Sequence, residues 1–174
     1  FCFLMRGINL VELALMKKED VKGDYFIFTR QKLINKTTRK QHIKIYPEAR
    51  KIIDKYIHNN TEYEFPILDH GFDKETSVKY YKKYNHKVST INANLRRIGE
   101  RELKLNFNST TMSARYTFIN IAKVSDVPFL YMQELMGHKN MSTTDIYLDA
   151  FPQDKIDEYH RAVIDKVLNY KEHK

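Results

Sequence analysis

Three short runs in the second half of this 174-residue chain carry side chains suited to work on a phosphate. Ser113-Ala114-Arg115-Tyr116-Thr117-Phe118 holds an arginine, Glu134-Leu135-Met136-Gly137-His138 a histidine just after a glycine, and Thr143-Thr144-Asp145-Ile146-Tyr147 a tyrosine. A guanidinium offers a bidentate fork to non-bridging phosphate oxygens, where charge builds in the transition state. The histidine can donate to the same phosphate or exchange protons with the tyrosine. A phenol is a weak nucleophile until a base or a positive field helps remove its proton. Its phosphodiester product then keeps the bond energy that rejoining needs. Taken singly, each residue has a plain alternative. Tyr147 is one of twelve tyrosines and can simply pack. His138 can close a helix against its dipole, and Arg115 can sit in a salt bridge.

The order and spacing of the three runs resemble the signature of the tyrosine recombinases of the phage-integrase family. Tyr147 lies nine residues beyond His138, and Arg115 precedes His138 by 23, as that pattern has it. The resemblance extends to the first half. Arg30-Gln31-Lys32 matches the end of the family's first hairpin strand, where Lys32 would protonate the departing 5′ oxygen; a lysine suits that work because a cationic, partly desolvated pocket lowers its pKa. Gly7-Ile8-Asn9-Leu10-Val11-Glu12-Leu13 matches a box whose usual form is Gly-x-Arg-x-x-Glu-Leu, with Asn9 standing where the first catalytic arginine belongs. Either Arg6, three residues earlier and a neighbour on a continuous helix, replaces that arginine, or Asn9 contributes only neutral hydrogen bonds. Met112 stands where the family has histidine or another polar or aromatic residue, and a methionine is neither acid nor donor. Both departures are similar to those in integrases of conjugative transposons and related mobile elements.

The resemblance implies a mainly α catalytic domain over 1–174 with a small antiparallel hairpin, and a separate N-terminal core-binding domain that this chain does not include. It implies cleavage and rejoining of double-stranded DNA through a 3′-phosphotyrosyl link at Tyr147, served by Arg115, His138, Lys32 and Arg6. DNA contacts are expected from Arg30, Lys36, Arg39 and Lys139. The synaptic complex would be a homo-tetramer and the isolated chain a monomer. Neither metal nor cofactor is called for, and the setting would be the bacterial cytoplasm, at the nucleoid. The alternative is a catalytically impaired DNA-binding module of the same fold.

The elements that must position these residues are visible as periodicities. Leu4, Ile8, Val11 and Leu13 to Met16 predict one helix ending before Lys17. Tyr25 to Arg30 and His42 to Tyr46 suit a β-hairpin around a basic loop that includes Lys32, Lys36, Arg39 and Lys40. Pro47 opens a short helix to about Tyr56, and residues 59–74 read as connection. Tyr84, Val88, Ile91, Leu95 and Ile98 form a helical stripe that Gly99 stops. Asn108-Ser109 offers caps for a helix over Thr110 to Lys123, and Ser125-Asp126 with Pro128 begins another that Gly137 ends. Ser142 caps a short helix carrying Tyr147. The stripe Ile156, Tyr159, Val163, Val167 and Tyr170 marks a last helix, packed within the chain or docked on a neighbour.

Composition narrows the partners. Thirty Lys and Arg against twenty-two Asp and Glu give +8, which favours an anionic partner. The run Lys79-Tyr80-Tyr81-Lys82-Lys83-Tyr84 reads either as a solvated helix face or as cations on DNA phosphates. Cys2 is the single cysteine, so neither an internal disulfide nor a multi-cysteine zinc site is available. His42, His58, His70, His86, His160 and His173 show no His-x-x-x-His pair. Glycines 7, 23, 71, 99 and 137 are too dispersed for a phosphate-binding loop, which argues against a nucleotide cofactor. No run approaches the roughly 20 apolar residues of a membrane span.

Overall fold

Aromatic and β-branched residues form the two expected strands in the computed structural model of the chain, which describes residues 1–31, 40–69, 77–136 and 153–169. Strand β2 (Tyr25–Phe28) pairs antiparallel with β3 (Gln41–Lys44), with Phe26 opposite Ile43 so that both enter the core. A two-residue strand β1 (Val21–Lys22) pairs with β2 on its other side and completes a three-stranded antiparallel sheet. It is too short to leave a periodicity in the sequence. Around this sheet the chain is mainly helical. It divides into two compact units, residues 1–115 and 116–174.

The first unit is built on Met5, Ile8, Leu10, Leu13, Met16, Phe26, Ile43, Ile45, Ala49, Ile53 and Phe65, all buried. Helix α1 (Leu10–Ala14) supplies Leu10 and Leu13, and α2 (Pro47–Ile53) supplies Ala49 and Ile53. Pro47 sits in the first turn of α2, where its missing N–H is harmless. A 3₁₀ turn, Asp54–Tyr56, extends α2 to the expected end. The 21-residue α3 (Ser77–Arg97) lays Val88 and Ile91 against the same core.

Two expected elements differ, each for a local reason. The predicted helix over Leu4 to Met16 is only Leu10–Ala14, because Arg6 (φ 57°) and Gly7 (φ 63°) are both left-handed and reverse the chain before it. Residues 1–8 instead fold as turns, with Met5 N–H donating to Phe1 O and Ile8 N–H to Met5 O. The apolar spacing is that of a helix, but it is satisfied by successive turns over one core. At the end of α3, Gly99 does not stop the chain. A π-helical turn, Ile98–Glu102, follows, and Gly99 is buried where an added Cβ would lie 3.4 Å from Ser109 Oγ. Ile98, the first residue of that turn, is exposed.

In the second unit, α4 (Ser113–Val124, whose first three residues belong to the first unit) contributes buried Phe118 and Ala122. Helix α5 (Phe129–Met136) contributes Leu135 and Met136, and α6 (Gln153–Leu168) contributes Ile156, His160, Val163 and Ile164. Phe118 meets the His160 ring edge-on, and Tyr131 lies against Tyr159 at 4.7 Å between centroids. Of the expected stripe, Ile156 and Val163 are buried and Tyr159 and Val167 half-buried, while Tyr170 lies outside the described residues. No helix among the described residues is long and apolar enough to cross a membrane.

The left-handed turn at Arg6 and Gly7 is a local constraint on the first unit. An L-residue with a Cβ costs roughly 1–2 kcal/mol in that conformation. Gly7→Ala is thus expected to lower the unfolding free energy by about that amount, read as a lower urea midpoint with an unchanged slope. An unaltered midpoint would mean that the turn at residue 7 is not held in the native state.

Candidate functional site

Arg115 is placed by the start of α4. Thr111 N–H donates to Asn92 Oδ1 on α3 at 2.8 Å, and Thr110 N–H to Ser113 Oγ at 2.9 Å. These bonds satisfy donors ahead of the first turn, and Arg115 N–H then donates to Met112 O at 3.0 Å. The helix begins three residues later than Asn108-Ser109 suggested, since the threonines are spent on this docking. Arg115 is buried, and its Nη1 donates to the carbonyl of Gly7 at 2.9 Å across 108 residues of sequence. The positive φ of Gly7 belongs to the turn that presents this carbonyl.

Glu12, on α1, is also buried, at 4% exposure. Its two carboxylate oxygens accept the N–H of Gln31 at 3.3 and 3.2 Å, which fixes the end of strand β2 against α1. The half-buried Arg30 is the residue before that anchor. Burial dominates the electrostatics of all three charged groups. It raises the Glu12 carboxyl above its ordinary value, although the Gln31 N–H and the charges of Arg30 and Arg115 pull the other way. It lowers Arg30 against the pull of Glu12. Burial and then the like charge of Arg30 lower Arg115 to about 10, with Glu12 opposing. Arg115 therefore stays protonated at neutral pH. Counting these three groups alone, two guanidiniums and one carboxylate leave one positive charge in a poorly hydrated place.

Of the residues singled out from the sequence, the structure brings together Arg115, Arg30 and the Gly7–Leu13 segment. Arg6 is buried within that segment, but as part of a left-handed turn. The expectation that it shares a helix face with Asn9 is corrected: the helix starts at Leu10 and Asn9 is its N-cap residue. Asn9 makes no side-chain capping bond, and its Oδ1 is buried with no hydrogen-bond partner among the described residues. Met112 is exposed. Lys32, Lys36, Arg39, His138, Lys139 and Tyr147 lie outside the described residues. Glu12 was visible in the sequence as part of a box but without a role. Its signal was a carboxylate on an otherwise apolar stretch, which is costly to bury unless something pairs with it.

Helix α3 adds a second electrostatic feature. It carries Lys79, Lys82, Lys83, Lys87, Arg96 and Arg97 and no Asp or Glu. Lys82, His86, Arg96 and Arg97 are exposed on it, and Lys83 lies 4.0 Å from Asp69. Among the described residues, no group of three His, Cys, Asp or Glu side chains is arranged to hold a metal ion.

The direction of the Glu12 shift has a testable consequence. The folded protein takes up this proton more readily than the unfolded chain. The associated stability is thus present below the ordinary glutamate value of 4.5 and is lost as pH rises through the raised one. Glu12→Gln, a neutral isostere, is expected to stay within about 1 kcal/mol of wild type at pH 7 and to flatten that part of the stability–pH profile. A loss of roughly 3 kcal/mol or more would instead show that pairing with the guanidiniums outweighs burial. Urea unfolding between pH 4 and 8 separates the two.

Neither family models nor curated proteins give a match to this chain, so its function is read from these residues and their arrangement.

Proposed function

We propose that the chain is the catalytic domain of a tyrosine recombinase of the phage-integrase type, acting on duplex DNA. The observation that carries the proposal is the buried bond between Arg115 and Gly7 O. It joins two sequence boxes that the resemblance requires at one phosphate, although they stand at opposite ends of the first unit's sequence. The excess positive charge of the Arg115, Arg30 and Glu12 cluster suits a phosphodiester, whose single negative charge would complete it. The acid-free α3 suits a polyanion beyond that one phosphate.

In this reading one DNA phosphate lies against Arg115, His138 and Lys32, with a second guanidinium for which Arg6 is one candidate from the sequence. Tyr147 Oη bonds to phosphorus as the bond from phosphorus to the 5′ oxygen breaks. The phenolic proton leaves to a base, for which His138 is the candidate, and Lys32 supplies a proton to the 5′ oxygen. The 3′-phosphotyrosyl link then keeps the phosphodiester energy, and attack by the 5′ hydroxyl of a second duplex reverses the step. A homo-tetramer around two duplexes, with a core-binding domain closing on the DNA in each protomer, belongs to the same proposal. So does a place at the bacterial nucleoid.

A second reading is favoured by Asn9 and Met112: a DNA-binding module of this fold that has lost strand cleavage. The two readings separate in one assay. Duplexes recovered by selection for binding are nicked to make suicide substrates and incubated with the full-length protein in EDTA. A denaturant-resistant protein–DNA band is expected, lost in Tyr147→Phe and reduced by roughly 100-fold or more in Arg115→Ala. Binding without any such band would select the inactive module. Independently, Lys82→Gln/Arg96→Gln/Arg97→Gln should make the dependence of log affinity on log salt shallower by about 2 to 3. An unchanged slope would remove α3 from the DNA face.

A further inference from the structure

We propose that Arg30, at the end of strand β2, supplies the second guanidinium of the phosphate site, in place of the arginine that position 9 lacks. The inference rests on reading the Arg115 cluster as a phosphate site.

Asn9 cannot fill the role. Its amide can donate only neutral hydrogen bonds through Nδ2 and carries neither the charge nor the fork of a guanidinium, and its Oδ1 is buried with no hydrogen-bond partner among the described residues. Arg6 was the natural substitute only on a continuous helix, where residues three apart share a face. The left-handed backbone at Arg6 and Gly7 removes that relation and separates Arg6 from the first turn of α1.

Arg30 reaches the same place from another element. Two anchors define it. Gln31 N–H is bonded to both oxygens of Glu12, and Arg115 is bonded to Gly7 O. Glu12 and Gly7 lie five residues apart at the entry to and within α1, so the strand end and the start of α4 converge on one short stretch of chain. Arg30 is half-buried there, one residue from its anchor. Its charge is felt by Arg115 strongly enough to be the main influence after burial itself. The charges of Arg30 and Arg115 both act on the Glu12 carboxylate and oppose each other, and an incoming phosphodiester offers acceptors that two guanidinium forks match. The same hairpin strand end that would present Lys32 would thus also present an arginine, and helix α1 is released from supplying one.

The test compares Arg30→Gln, Arg6→Ala and Asn9→Ala for covalent-band formation, alongside thermal melts in sodium phosphate against chloride of equal ionic strength. Arg30→Gln is expected to slow band formation by about 100-fold and to lose the extra stabilisation that phosphate gives the wild type. Arg6→Ala and Asn9→Ala should retain that stabilisation. Adding Asn9→Arg to Arg30→Gln should recover at least about tenfold of the lost rate, a result that a purely structural role of Arg30 does not predict. If Arg30→Gln fails to fold, Arg30→Lys, which keeps the charge without the fork, is expected to show the same slow cleavage and the same rescue. Wild-type cleavage by a folded Arg30→Gln or Arg30→Lys, or equal phosphate stabilisation with and without Arg30, would overturn the proposal. If the wild type forms no band yet phosphate stabilisation depends on Arg30, the Arg30 site stands and the recombinase reading falls.

Discussion

Burial outweighs mutual attraction in the titration of Glu12, Arg30 and Arg115, and strand β2, helix α1 and the start of α4 hold these three charged groups in the first unit. Arg115 and Glu12 are tied to backbone as well as to charge. Arg115 is bonded to a carbonyl that a left-handed glycine presents, and Glu12 to the N–H that follows Arg30. Those ties demand that strand β2, helix α1 and the start of α4 meet within a few ångströms. The sheet register that places Phe26 and Ile43 in the core, and the docking of Thr111 on Asn92, fix the elements that carry them. Stability alone is an unconvincing reason to keep such a cluster, since apolar residues in the same volume commonly do as well or better. A buried charged cluster of this kind is in keeping with the proposed action on a phosphate.

Much of the architecture was legible in the sequence because period and composition carried it. The hairpin strands, the proline-led α2, the long stripe of α3 and the start of α5 follow from patterns that local physics enforces. What was not legible came from residues whose backbone departs from the default. Nothing in Leu4 to Met16 announces that Arg6, a residue with a Cβ, adopts a left-handed conformation, and the helical spacing there is real even though the helix is not. The π turn after Arg97 is similar: Gly99 looked like a stop, but its small size serves close contact with Ser109. The start of α4 moved because Asn92, 19 residues away, competes for the Thr111 N–H, a tertiary bond that no window of sequence displays.

The candidate site divides in the same way. The sequence named Arg115, the Gly7–Leu13 box and the Arg30 strand end as separate pieces. Their convergence on Gly7 O and Glu12 needed the fold. The role of Glu12 stayed hidden because a carboxylate in an apolar run is ambiguous until its partners are known. The reading of Arg6 was the one most dependent on a continuous helix, and it loses its geometric basis with that helix.

In the proposed phosphate site, a change of supporting element would let position 9 be an asparagine. What a phosphate senses is the location and number of donors and the net charge around it, and neither property records which backbone delivers them. A helix N-terminus and a strand end that share one carboxylate anchor are equivalent launching points for a side chain as long as arginine's. The constraint then shifts from position 9 to the anchor. So long as Glu12 holds the Gln31 N–H, the strand end stays registered against α1 and Arg30 stays beside Arg115. Without that bond, the hairpin end has one fewer tie to α1, and the two arginines' repulsion favours their separation. In the proposed site, the role of buried Glu12 is to set the spacing of the cations. That role asks less of its own charge than of its two oxygens as acceptors.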